Sequence, residues 1–250
     1  MAANRLELST LLPAAIPSAA PPTTAGLPPI DDSLRTEARD ALAAIDAVGA
    51  GGCIASDCDG TIWAGDVGDE LVRLAEAHPH LFPGAAVDTP SYFERMELDY
   101  IGGCLESAAL TRTAAQRDVQ AALLEWLQGR VAPRLWLVEA LVAAAERGVR
   151  VVAVSASARL AVEAGLRRCG LAGHCEVIGV EPTPTGFVSP VPIGAGKVAA
   201  LQRIGVRRVD VALGDSRWDG PLLCAAERGL LLRPGSQAND VQLSAAALRG

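Results

Sequence analysis

Aromatic residues make up only 4% of the 250 residues, and Ala, Leu and Val dominate in their place. That composition suits helices packed on a sheet of small aliphatics. Positive charge is in deficit: 22 Lys and Arg stand against 29 Asp and Glu, a formal net charge of −7. With no run of basic residues either, an electrostatic nucleic-acid footprint is excluded. The six cysteines (53, 58, 104, 169, 175 and 224) include no CxxC spacing, so neither a zinc site nor a disulfide framework is indicated. Cys169 and Cys175, with His174 between them, read as buried small thiols. No apolar stretch reaches the roughly 18 residues a membrane helix needs. The GxxxxGK[ST] frame is missing too, because Gly194-Ala195-Gly196-Lys197 is followed by Val198 where Ser or Thr should stand. Gly49-Ala50-Gly51-Gly52 precedes a strand instead of following one, which removes a dinucleotide reading.

The composition is 50% hydrophobic, enough for one sizeable core or a core plus a small accessory domain. The first thirty residues stand apart. Six prolines among Ala, Thr and Ser read as a flexible extension, and Arg5 followed by Glu7 does not supply the basic n-region of a secretory signal. A cytoplasmic protein is the expectation. Leu34, Ala38, Leu42 and Ile45 space an amphipathic helix over 32–48. Between about 66 and 130 the sequence is polar and helical without an obvious strand, and Ser91-x-x-Glu94 and Thr113-x-x-Gln116 have capping-box form.

From Val131 helix and strand alternate. Helices are expected over 135–146, over about 158–168 and from Gly196-Lys197 onward. Strands are expected at 150–154, 209–213 and 230–232, and a strand pair over 176–180 and 186–189 around Pro-Thr-Pro-Thr-Gly. Short apolar strands separated by helices mean a parallel sheet with helices on both faces, whose ligands gather at the carboxyl ends of the strands.

Three strands end in groups fit for chemistry. Cys53-Ile54-Ala55-Ser56 runs into Asp57-Cys58-Asp59-Gly60-Thr61, Arg150–Val154 into Ser155, and Val209–Leu213 into Gly214-Asp215-Ser216. In extended chain Asp57 and Asp59 point the same way, and clustered buried carboxylates make sense where a cation sits. With Ser155, Lys197 and the run Gly214-Asp215-Ser216-Arg217-Trp218-Asp219, they resemble the four ordered motifs of the haloacid dehalogenase-like hydrolase superfamily, over roughly residues 50 to 235. The resemblance implies an α/β fold: a Rossmann-like core of parallel sheet flanked by helices (31–65 and 131–250), with a small helical cap (66–130) inserted after the first strand. The cap and the hairpin before Lys197 are similar to the phosphoserine phosphatase-like branch.

The resemblance also implies roles. Asp57 is the expected nucleophile and Asp59 the acid–base partner, with Ser155 and Lys197 holding the phosphoryl oxygens and Thr61 beside them. Mg²⁺ is the expected cofactor, bound by Asp57, Asp215 and the Asp59 backbone carbonyl, with Asp219 orienting the site. The implied activity is hydrolysis of a small phosphomonoester through an aspartyl-phosphate, by a monomer or homodimer, and carbon–halogen cleavage suits Asp59 less well. Asp66 stands where that branch places the acid meeting the substrate amine; Phe93 and Arg95 are candidate cap contacts. Tyr100 occupies the place of an expected Arg, and Trp218 that of a common Asn, which puts phosphoserine itself in doubt. A phosphotransferase or phosphomutase would use the same aspartyl-phosphate. A non-catalytic phosphate-binding or receiver-type signalling module ranks lower, since receiver domains are about half this length and lack Asp59.

Overall fold

A computed structural model describes residues 32–112, 114–235 and 243–249. The proline-rich extension and the Thr113 capping position therefore lie outside the described residues. Five strands form one parallel sheet in the order β5-β4-β1-β8-β9: β1 is Cys53–Ser56, β4 Arg150–Ala158, β5 Glu176–Val180, β8 Val211–Gly214 and β9 Arg228–Leu231. The centre strand β1 is buried along its whole length, with Ile54 paired to Val151 on one side and Val211 on the other. Alternation along the strands builds two cores. Ile54, Val151, Ala153 and Leu213 face one cluster with helices α1 (Asp32–Asp46), α6 (Leu135–Glu146) and α7 (Arg159–Cys169). Cys53, Ala55, Val152, Val154 and Ala212 face the other, with α8 (Ala195–Arg203) and α9 (Gly220–Ala225). Helices on both faces are what buried parallel strands require.

Between β1 and β4 the chain makes a helical excursion. β2 (Trp63–Ala64) and β3 (Ala132–Pro133) pair antiparallel and carry it out and back. Within it lie α2 (Val67–Ala77), α3 (Thr89–Leu98), α4 (Tyr100–Ala109) and α5 (Gln116–Trp126). The excursion has no core of its own: Val67, Leu71, Val119 and Leu123 join the same cluster as Ile54, and α2 and α5 pack on α7. Helices α3 and α4 pack on each other, and α4 rests on β4.

Several sequence expectations need correction. Asp88, not Ser91, caps α3, accepting a hydrogen bond from the Ser91 amide. Glu176–Val180 pairs with β4 as a sheet strand, and the hairpin is instead β6 (Pro182–Thr183) with β7 (Gly186–Phe187). Among the described residues no helix is long and apolar enough to cross a membrane.

Gly65 marks where the chain leaves the β2–β3 ribbon. Its φ is +102°, and an added Cβ would stand 2.8 Å from the Arg130 carbonyl oxygen. Gly65→Ala is expected to destabilise the fold by about 1–2 kcal/mol from backbone conformation alone. Urea unfolding reads this directly, and an unchanged midpoint would contradict it.

Candidate active site

The carboxyl ends of β1, β4 and β8 come together as the parallel topology requires. Asp57 follows β1 directly, and its amide donates to the Leu213 carbonyl of β8. This tie brings it beside Asp215, which follows the same strand. Its Oδ1 accepts from the Lys197 ammonium at 2.5 Å, and the same Nζ reaches Asp219 Oδ1 at 2.6 Å. Lys197 is only 2% exposed, so its charge is answered inside the protein. The second Asp219 oxygen accepts from the Asp215 and Ser216 amides and the Ser216 hydroxyl, which folds the β8 loop around it. Thr61 Oγ1 lies 3.1 Å from Asp57 Oδ2 and 3.2 Å from Asp215 Oδ1. Gly60, at φ +77°, makes room there, since a Cβ would run into the Asp215 carboxylate.

Asp59 faces the helical excursion. Its Oδ1 accepts from the Trp63 indole at 2.9 Å and the Val67 amide at 2.8 Å. Its Oδ2 accepts from the Ser157 hydroxyl at 2.8 Å and the Ser155 hydroxyl at 3.2 Å. Pairing of β4 with β5 shifts register between Val154 and Ala158, the stretch from which both serines reach Asp59. Asp66 caps α2, accepting from the Asp69 amide at 2.9 Å.

Burial dominates the electrostatics. It raises the Asp57 acid to about 7 against the pull of Lys197, with Asp219 and Asp59 adding to the rise. Asp215 is raised to about 7 by burial, then by Asp57 and Asp219. Asp59 is also raised to about 7, by burial and Asp66, opposed by the hydrogen bonds from Val67, Ser157 and Trp63. Burial and Asp69 lift Asp66 to about 7. For Lys197 burial works downward, but Asp57 and Asp219 reverse it and raise the ammonium's pKa. An acid that keeps its proton near neutral pH next to an anionic neighbour is the arrangement general acid–base chemistry needs.

The haloacid dehalogenase-like hydrolase family model matches residues 54–223. The chain belongs to that family. Similar folds include a protein of Bordetella pertussis Tohama I whose function is unknown (17% identity, TM-score 0.55, covering 71% of this chain and 87% of that one). Cytosolic 5'-nucleotidase IIIB bound to cytidine is another (15%, 0.50, 82% and 78%), as is a phospho-aspartyl intermediate analogue of phosphoserine phosphatase (18%, 0.47, 71% and 84%). None of the curated proteins compared matches the sequence.

Within this haloacid dehalogenase-like frame, Asp57, Thr61, Lys197, Asp215 and Asp219 share one network, and Asp59 with Ser155 forms a second that couples to it electrostatically, with Asp66 at the edge. Phe93 and Arg95 do not join it. Phe93 packs on Tyr92 and under the Arg73 guanidinium at 4.8 Å, and Arg95 pairs with Glu106 on an exposed flank of the excursion. Three contributors have no counterpart in the sequence reading. Ser157 holds Asp59 more closely than Ser155 does, Trp63 anchors its other oxygen, and Arg134, fully buried, donates to the carbonyls of Thr61 and Arg233. Ser155-x-Ser157 repeats the spacing of Asp57-x-Asp59, and that was the available signal.

Oxygens of Asp57, Asp215 and Asp219 lie within 4.8 Å of one another. A hydroxyl has one proton to give, so Thr61 satisfies either Asp57 or Asp215 but not both at once. An all-oxygen set with surplus negative charge fits a hard divalent cation.

Proposed function

We propose that this chain is a Mg²⁺-dependent phosphatase that hydrolyses a small phosphomonoester through an aspartyl-phosphate on Asp57. The observation that carries the reading is the pairing of two strand-end acids in opposite settings. Asp57 is held by a buried ammonium, and Asp59 by four donors on the side facing α2–α5.

Asp57 attacks phosphorus, forming a carboxylate–phosphorus bond as the ester P–O bond breaks. The departing alkoxide takes the Asp59 proton. Asp59, now ionised, accepts a proton from water as its oxygen attacks phosphorus, and Asp57 leaves with inorganic phosphate as product. Acid–base help of this kind contributes about 100–10,000-fold. Lys197 and the Ser155 hydroxyl offset negative charge on the phosphoryl oxygens. Asp57, Asp215 and the Asp59 backbone carbonyl would hold Mg²⁺, with Asp219 orienting the set, and the ion would supply charge neutralisation for the phosphoryl group.

The helical excursion acts as a cap that admits substrate and excludes water. Because α3 gives the core cluster no residue and α4 gives it only Ala108 among its buried ones, α3 and α4 are the part that lifts.

Phosphate release from small phosphomonoesters, measured with Mg²⁺ and with EDTA, tests the reading. Release that EDTA abolishes is expected; release indifferent to EDTA would remove the metal from it. Mg²⁺ is also expected to raise the Tm of metal-stripped protein, by about 2.7 kcal/mol of added stability at a hundredfold excess over Kd. A thermal scan unmoved by Mg²⁺ would contradict the assigned ligand set.

A further inference from the structure

Helices α3 and α4 meet the core through a small apolar cluster. Met96, Tyr100 and Cys104 come from the cap side, and Ala156, Ile193 and Trp218 from the core. At its centre Tyr100 and Trp218 stack, with centroids 4.8 Å apart and planes 14° from parallel. Ala156, Trp218 and Ile193 adjoin the catalytic residues in sequence, and Val191 completes the core side. Ala156 lies between the two serines that hold Asp59, Trp218 lies between Asp215 and Asp219, and Ile193 precedes the helix that carries Lys197. The Tyr100 phenol is partly buried beside the Cys104 thiol, and with Asp66 and Asp57 near it stays protonated.

Tyr100 lies close enough to Asp57 and Asp66 to feel their charge, so a group leaving phosphorus at Asp57 with its oxygen at Asp59 is directed toward this cluster. We propose that Tyr100 and Trp218 select the leaving alcohol, and that this alcohol carries a flat apolar body and no carboxylate. The inference rests on the phosphatase reading of the same site. When α3 and α4 lift, the two rings part and the face contact between them is lost. A substrate ring restores what the pair gave up, whereas a short polar alcohol leaves it unrecovered. Charge sets the second half of the preference. Asp66 and Asp69 border this side of the site, and a buried Asp69 oxygen has no hydrogen-bond partner. Two nearby guanidinium groups are paired with acids, Arg73 with Glu70 and Arg95 with Glu106, while Arg217 lies outside over the Trp218 ring at 5.0 Å. A carboxylate entering here meets like charge in a desolvated setting.

Steady-state phosphate release by the full chain with Mg²⁺ tests both halves. Ethyl phosphate against 2-phenylethyl phosphate isolates the ring at nearly constant leaving-group reactivity. Phosphoethanolamine against phosphoserine isolates the carboxylate. The ring is expected to raise kcat/KM by about 10-fold or more, the scale of apolar pocket discrimination, and the carboxylate to lower it by a similar factor. Tyr100→Leu, which keeps burial but removes the ring, is expected to bring the phenylethyl advantage below about threefold, while Tyr100→Phe keeps it. Trp218→Leu is the second variant and is expected to act like Tyr100→Leu. Equal kcat/KM for the ethyl and phenylethyl esters would overturn the inference, as would phosphoserine matching phosphoethanolamine, or a ring advantage that survives both leucine variants. No release from any of the four, or from p-nitrophenyl phosphate, would overturn the phosphatase reading and the inference with it.

Discussion

Asp57→Asn is expected to abolish phosphate release while the protein still folds. An amide oxygen cannot displace an alkoxide from phosphorus, so the loss should be on the order of 10,000-fold or more, the scale seen when a covalent nucleophile is removed. Folding survives for a local reason. Burial already works against the ionised carboxylate, and the neutral amide keeps an oxygen that accepts from Lys197. Circular dichroism and a urea melt check the fold, and a phosphate assay checks turnover. Activity within tenfold of the parent would remove Asp57 from the nucleophile's role, a threshold far inside the loss expected for such a group.

Lys197→Met should do the opposite and damage the fold itself. The ammonium is shared by two buried carboxylates, at 2.5 Å from Asp57 and 2.6 Å from Asp219. Methionine fills the space but leaves both acids without their cation. Breaking a buried pair from one side costs about 3–5 kcal/mol, because the charge left behind keeps its desolvation penalty. Equilibrium urea unfolding is the measurement. A loss under about 1 kcal/mol would mean that the pair is screened as a surface bridge is, contrary to its burial.

Much of the architecture was legible in the sequence because parallel strands advertise themselves. Cys53–Ser56, Arg150–Val154 and Val209–Leu213 are short apolar runs that end in polar groups, and the sheet gathers those ends on one side. What escaped lacks a periodic signal. The β2 and β3 strands that carry the helical excursion are two residues each, too short to show alternation. The break at Asp99 is an N-cap written in one residue, with no periodic signal to mark the start of α4. Glu176–Val180 was assigned to the following hairpin, although its burial deepens toward Val180 as a sheet strand's does. Arg134 looks like a surface cation in sequence, yet its guanidinium donates to the backbone carbonyls of Gly60, Thr61 and Arg233 and so tolerates full burial. Tyr100 and Trp218 were each visible as departures from the family pattern. Their contact with one another was not, because 118 positions of sequence separate residues that the fold stacks face to face.

Whether phosphate passes through Asp57 is the question on which the rest depends. Rapid acid quench during turnover of a phosphomonoester with Mg²⁺, followed by peptide mass spectrometry, answers it. A peptide containing Asp57 that gains the mass of one phosphoryl group, and loses it on hydroxylamine treatment, is the expected result. Full phosphate release with that peptide unmodified at every quench time, or with the phosphoryl group on another residue, would contradict it.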